Sequence, residues 1–133
     1  MVYPSILIKG DMMVEFWIQR KVAIFAFNGD PMCVIHALIN TLEFHAKGYD
    51  VKLIIEGSAT SLIGKLNEAN NPLHYYYTKA KEEGLISCVC KACATKSGTI
   101  GEAEEQGLAL CDELFGHPSM AKYMEEGYDI ISI

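Results

Sequence analysis

The residues of this sequence best suited to covalent chemistry are thiols, and three of its five cysteines crowd into Cys88-Val89-Cys90-Lys91-Ala92-Cys93. A thiolate, not a thiol, is the nucleophile, so what matters is which sulfur is ionised. Two thiols spaced C-x-x-C where a strand runs into a turn or helix are placed for a lowered pKa, because helix-end N–H groups and the nearby Lys91 and Lys96 stabilise the anion. Cys90 and Cys93 are therefore the candidate catalytic pair, with Lys91 in support. Two other readings compete. Cys88 and Cys90 can be small core residues alternating along a strand, with Cys93 merely packed. Alternatively Cys88, Cys90 and Cys93 can bind zinc as thiolates, with Cys33, His36 or His117 completing a tetrahedron, although C-x-C-x-x-C without a second pair is a weak zinc signal.

The remaining polar candidates are weaker. Cys33 falls in the first turn of a helix and reads as a packed hydrophobe, and Cys111 reads as core. His117, in a loop before Pro118, can exchange protons with a thiol, whereas His36, His45 and His74 fall on predicted helices and read as solvated or subunit-facing. Asn28-Gly29-Asp30 and Gly57-Ser58 offer backbone N–H groups to an anion at helix starts. No G-x-G-x-x-G or P-loop pattern is present, so nucleotide binding has little support. Tyr75, Tyr76 and Tyr77 read as a helix side that covers core or an interface.

These residues must be positioned by alternating short apolar runs and capped helical segments, the βαβ grammar of a parallel sheet. Val22 to Phe27 is continuously apolar, as expected of a strand buried on both faces. Asp30 then caps a helix with Pro31 at its first position, running to Lys47 with His36, Asn40, Glu43 and Lys47 on its polar stripe and Gly48 at its end. Val51 to Glu56 is a second strand, followed by helices over Thr60 to Ala69 and from Asn71-Pro72 to Glu83. Ile86 to Cys90 is a third. Thr99 and Glu102 have capping-box spacing for a short helix near Gly101 to Gln106. Leu108 to Cys111, a last helix opened by Gly116-His117-Pro118 and running to Glu126, and the strand Tyr128 to Ile133 complete the scheme. The expectation is an α/β fold: a three-layer, Rossmann-like α/β/α sandwich on a parallel sheet of about five strands. Its loops Asn28 to Pro31, Gly57 to Thr60, Cys90 to Gly98 and Leu114 to Pro118 should share one rim, where ligands collect in such sheets.

At 133 residues, 50% of them hydrophobic and 21% charged, the sequence has the size and composition of one folded domain. Residues 21–133 make that domain and residues 1–20 an arm, although Ile6 to Ile8 and Val14 to Ile18 each look strand-like. A net charge of −6 with no basic stripe disfavours nucleic acid and anionic membranes. No apolar run is long enough to cross a bilayer, and Met1 to Lys9 lacks a cationic start and is broken by Pro4, unlike a secretory signal. A cytoplasmic location is expected, and the crowded cysteines are expected to be reduced. No resident cofactor or metal is expected.

The strand ending in Cys90-Lys91-Ala92-Cys93-Ala94, with Gly98 shortly after, resembles the signature of the DsrE/DsrF-like family, close to its YchN-type members. The likeness extends over Lys21 to Ile133 and includes Phe27-Asn28-Gly29-Asp30-Pro31, Ile55-Glu56-Gly57 and Glu126-Gly127-Tyr128. Only the cysteine segment is specific. Lys91-Ala92 replaces the Gly-containing pair common between the two cysteines, and Ser97-Gly98 stands where a basic residue and Gly often occur.

The resemblance implies a cytoplasmic sulfur carrier or sulfurtransferase component that passes sulfane sulfur as a cysteine persulfide. It also implies assembly as a homo-oligomer, a trimer or hexamer. Cys90 matches the sulfur-carrying cysteine of relay members and Cys93 the second cysteine of YchN-like ones, with Lys91, Asn28, Gly29 and His117 in support. Its partners would be sulfur-donor and sulfur-acceptor proteins or small sulfur species. A dithiol redox protein cycling a Cys90–Cys93 disulfide, and a zinc-binding or structural subunit, are the alternatives.

Overall fold

The computed structural model describes residues 2–9 and 12–133, with side chains from Gln19 onward; Met1, Gly10 and Asp11 lie outside the described residues. The two strand-like runs of the N-terminal arm fall within β1 (Val2–Lys9) and β2 (Met12–Gln19). These pair antiparallel, from Val2↔Gln19 to Lys9↔Met12, in a two-stranded sheet of their own.

The apolar runs expected to be strands form β3 (Lys21–Ala26), β4 (Asp50–Ile55), β5 (Ile86–Cys90), β6 (Leu110–Cys111) and β7 (Asp129–Ser132). They make one sheet in the order β6-β5-β4-β3-β7, parallel throughout. Joining them are α1 (Pro31–Ala46), a 3₁₀ segment (Gly57–Leu62), α2 (Ile63–Leu66), α3 (His74–Glu82), α4 (Lys91–Ser97), α5 (Ile100–Glu105) and α6 (Met120–Glu125). The architecture is the α/β sandwich expected.

Alternation along each strand sends side chains to opposite layers. Val22, Ile24 and Ala26 of β3, with Leu53, Ile55 and Val89, pack against Val34 and Leu38 of α1, Tyr77 of α3, Ala94 of α4 and Ala103 of α5. On the other face, Ala23, Phe25, Ile54, Cys88 and Cys111 meet Tyr123 of α6 and Tyr128. Cys90 is two residues beyond Cys88, and Glu56 two beyond Ile54, so both project toward the α6 side at the carboxyl end of the sheet. Among the described residues, no helix is long and apolar enough to cross a membrane.

Several boundaries differ from those expected, each because a side chain satisfies the backbone differently. Thr60 Oγ1 donates to Gly57 O (2.8 Å) and Ser61 Oγ to Ser58 O (2.6 Å), and these three-residue returns accompany a 3₁₀ segment where a longer α-helix was predicted. Asn71 Oδ1 accepts from Leu73 N (2.8 Å), an Asx turn that delays α3 to His74. Thr99 precedes α5 but spends its hydroxyl on Thr60 O (2.8 Å), and the expected capping box with Glu102 is not made. Ser119, not the Gly116 segment, caps α6.

Candidate functional site

Cys90 closes β5 and also caps α4, its Sγ accepting from Cys93 N at 3.4 Å. The first turn of α4 therefore holds Cys93 directly above Cys90. The loop from β6 to α6 supplies His117 through a tight turn: Leu114 N donates to His117 O (2.8 Å) and His117 N to Leu114 O (2.9 Å). Phe115 and Gly116 occupy its two central positions with φ of 49° and 91°, the geometry of a type I′ turn. For Phe115 that region is strained. The turn is docked by Ala92 N, which donates to Gly116 O at 2.9 Å.

These constraints aim the imidazole at both sulfurs. His117 Nδ1 lies 3.2 Å from Cys90 Sγ and 3.7 Å from Cys93 Sγ. It is also 3.8 Å from Glu56 Oε1 at the end of β4. Glu56 is only 6% exposed, and burial raises its pKa, partly opposed by its contact with Cys90 and by the charge of His117. One ligand-type atom from each of Glu56, Cys90, Cys93 and His117 lies within 4.8 Å of every other.

The two thiols differ in access. Cys90 is fully buried, whereas Cys93 lines a cleft of about 700 Å³ with Gly57, Ser58, Lys96, Ser97 and His117. The cleft opens at the carboxyl ends of β4 and β5, where ligands of parallel sheets collect. Another depression, between Asn40, Glu43, Phe44, Lys47 and Tyr49, contains no thiol.

The expected lowering of the Cys90 pKa is corrected. Burial pushes this thiol up to about 12, and the nearby Cys93 and Glu56 add to the effect, against a smaller opposing contribution from the Cys93 N–H. Lys91 does not supply the counter-charge assigned to it, because its Nζ pairs with Asp112 Oδ2 at 3.6 Å. The helical step after Cys90 turns that side chain toward the β6 loop. The expectation of uniformly reduced cysteines is corrected as well. Cys88 and Cys111 face the same side of the adjacent strands β5 and β6 and form a disulfide, leaving Cys33, Cys90 and Cys93 free.

Asn28 and Gly29 are not open to a ligand in the manner foreseen. Asn28 Oδ1 accepts from Asp30 N (2.9 Å), and Gly29 N donates to Ser58 Oγ (2.8 Å). Gly29 acts one step back, holding Ser58 at the cleft wall, while Asn28 shapes the turn into α1. Gly57 makes that turn possible: its φ is +52°, and a Cβ there would meet Phe27 O at 2.7 Å. Of the expected zinc set, Cys90, Cys93 and His117 come together, while Cys88 is held in its disulfide and Cys33 and His36 lie on α1 outside the cluster. Glu56 was missed because a carboxylate ending an apolar strand reads from sequence as the strand's polar boundary. The Ile55-Glu56-Gly57 segment was its one available signal.

No family model matches the chain, and no solved structure matches it. It is 36% identical over 123 residues to the uncharacterized protein MJ0733 of Methanocaldococcus jannaschii, covering 88% of this chain and 98% of that one. The chain belongs to the family of this archaeal protein. Two uncharacterized proteins of Archaeoglobus fulgidus are similar over shorter stretches. One is 44% identical over 57 residues (43% of this chain, 93% of that protein), and the other 44% identical over 34 residues (26% and 92%).

Proposed function

We propose that this protein is a cytoplasmic sulfur carrier or sulfurtransferase component of DsrE/DsrF-like type, and that it holds sulfane sulfur as a persulfide at the Cys90/Cys93 pair. The observation that carries this reading is the stacking of a cleft-lining thiol, Cys93, over a buried one, Cys90, with His117 Nδ1 within 3.7 Å of both sulfurs. Access makes Cys93 the receiving thiol. Its thiolate attacks the outer sulfur of a donor persulfide, R–S–SH. A Cys93 S–S bond forms, the donor S–S bond breaks, and the donor leaves as R–S⁻. His117 takes the Cys93 proton and returns it to the leaving thiolate, so no net oxidation occurs.

Cys90, kept protonated by burial, serves as the thiol beneath the persulfide, able to hydrogen-bond to it or to receive the sulfur in turn. Donor and acceptor are sulfur-carrying proteins or small sulfur species reaching the cleft. Assembly into a homo-oligomer, a trimer or hexamer, belongs to the same reading. Exposed Leu114 and Phe115 on the His117 turn, with Met120 and Met124 on α6, offer apolar surface for it to cover. The test is mass spectrometry of the chain after exposure to a sulfane-sulfur donor, with the adduct mapped to a cysteine.

A further inference from the structure

His117 and the three side chains around it, Glu56, Cys90 and Cys93, also have the composition of a metal site. Two sulfurs, one imidazole nitrogen and one carboxylate oxygen approach from β4, the β5–α4 junction and the β6–α6 loop, all within 4.8 Å of one another. With Zn–S near 2.3 Å and Zn–N or Zn–O near 2.0–2.1 Å, tetrahedral ligands lie roughly 3.3 to 3.8 Å apart. The separations from His117 Nδ1 are 3.2 Å to Cys90, 3.7 Å to Cys93 and 3.8 Å to Glu56. The three separations from His117 thus lie near the tetrahedral range, and no two of the four donor atoms are more than 4.8 Å apart.

Its surroundings fit the same purpose. Glu56 and Cys90 are buried at the carboxyl ends of β4 and β5, so half the donor set is shielded from solvent. A buried carboxylate needs a compensating partner, and among the described residues the one ion pair of Glu56 is with His117. Of the two lysines of α4, Lys91 is engaged by Asp112 and Lys96 lines the cleft. We propose that Glu56, Cys90, Cys93 and His117 form a four-coordinate site for a borderline-soft divalent cation of the Zn²⁺ class. Thiolate and imidazole donors select such a cation over Mg²⁺ or Ca²⁺. Four protein ligands close its coordination shell, so the metal masks both thiols and excludes persulfide formation while bound. The site stands independently of sulfur transfer.

The full chain, its free thiols kept reduced under mild conditions and its metals removed by a chelator, is titrated with Zn²⁺ alone and separately with Co²⁺. The expected result is one Zn²⁺ bound per chain, and a Co²⁺ complex with thiolate charge-transfer and tetrahedral d–d absorption. Mg²⁺ does not displace either ion. His117→Ala, on an exposed turn, and Cys93→Ser each weaken Zn²⁺ binding by at least about tenfold and change the Co²⁺ spectrum, while Cys33→Ser changes neither. Far-UV circular dichroism confirms that each variant is folded. Wild-type protein that retains no stoichiometric Zn²⁺, or binding equally tight in folded His117→Ala and Cys93→Ser, overturns the proposal. Persulfide labelling is measured on the metal-free protein: an adduct without Zn²⁺ binding removes only the metal site, and Zn²⁺ binding without an adduct removes only the sulfur-transfer reading.

Discussion

Cys90 Sγ and His117 Nδ1 lie 3.2 Å apart although 27 residues separate them in sequence. One side chain ends a buried strand and the other rides on a strained two-residue turn, and the sheet order is what joins them. Because Cys93 shares the same imidazole from the solvent side, a single histidine serves an accessible and an inaccessible sulfur. The reactivity of the chain should follow from that asymmetry.

The five cysteines should divide into classes. Thiol titration of the native, non-reduced protein is expected to detect the half-buried Cys33 and Cys93, with the buried Cys90 appearing on unfolding and Cys88 and Cys111 only on reduction. Peptide mapping checks the pairing. Replacing Cys111 with Ser should cost about 3 kcal/mol in a denaturant melt, the loop-closure value for a crosslink spanning 23 residues.

Alkylation of the native protein should reach Cys93 at least about tenfold faster than Cys90. The pH dependence has a definite sign. Burial holds the Cys90 thiol protonated up to about 12, against an ordinary 9.0, so the folded state keeps a proton that the unfolded chain releases. The stability this contributes is complete below pH 9 and is lost as pH rises toward 12. In Cys93→Ser, where burial still dominates, Cys90 alkylation should keep rising by about tenfold per pH unit well past pH 9, without the plateau shown by the unfolded chain. Rate profiles by mass spectrometry decide it.

Gly57→Ala should damage the cleft wall. The new Cβ meets Phe27 O at 2.7 Å in a backbone held at φ +52°, so Ser58 must shift away from Gly29 N. The expected loss is about 1 to 3 kcal/mol in a thermal or denaturant melt, with slower labelling of nothing but the cleft residues if the rest of the fold is retained.

Much of the fold was legible because its signals are local. Val22 to Phe27 is apolar throughout, as a strand buried on both faces requires, and Asp30-Pro31 is a helix start that the Met32 N–H bond to Asp30 Oδ1 at 2.9 Å realises. The C-x-x-C pair and His117 were legible for the same reason: residue type and position at a strand end. The rest depended on which strands are neighbours. Cys88 and Cys111 bond because β6 lies beside β5, a fact that no spacing along the chain contains. Glu56 enters the site because β4 lies on the other side of β5. Lys91 misled in the opposite direction, since adjacency to Cys90 in sequence became divergence once the chain turned into α4.

The central claim is tested most directly by incubating the metal-free, reduced protein with a sulfane-sulfur donor and mapping the mass increase. The account predicts an adduct of about 32 Da, one sulfur atom, at the Cys90/Cys93 pair, formed first on Cys93 and removed by reductant. Labelling of a Cys90→Ser, Cys93→Ser double variant equal to that of the wild type, or a Cys90–Cys93 disulfide with no sulfur retained at any time, would contradict it.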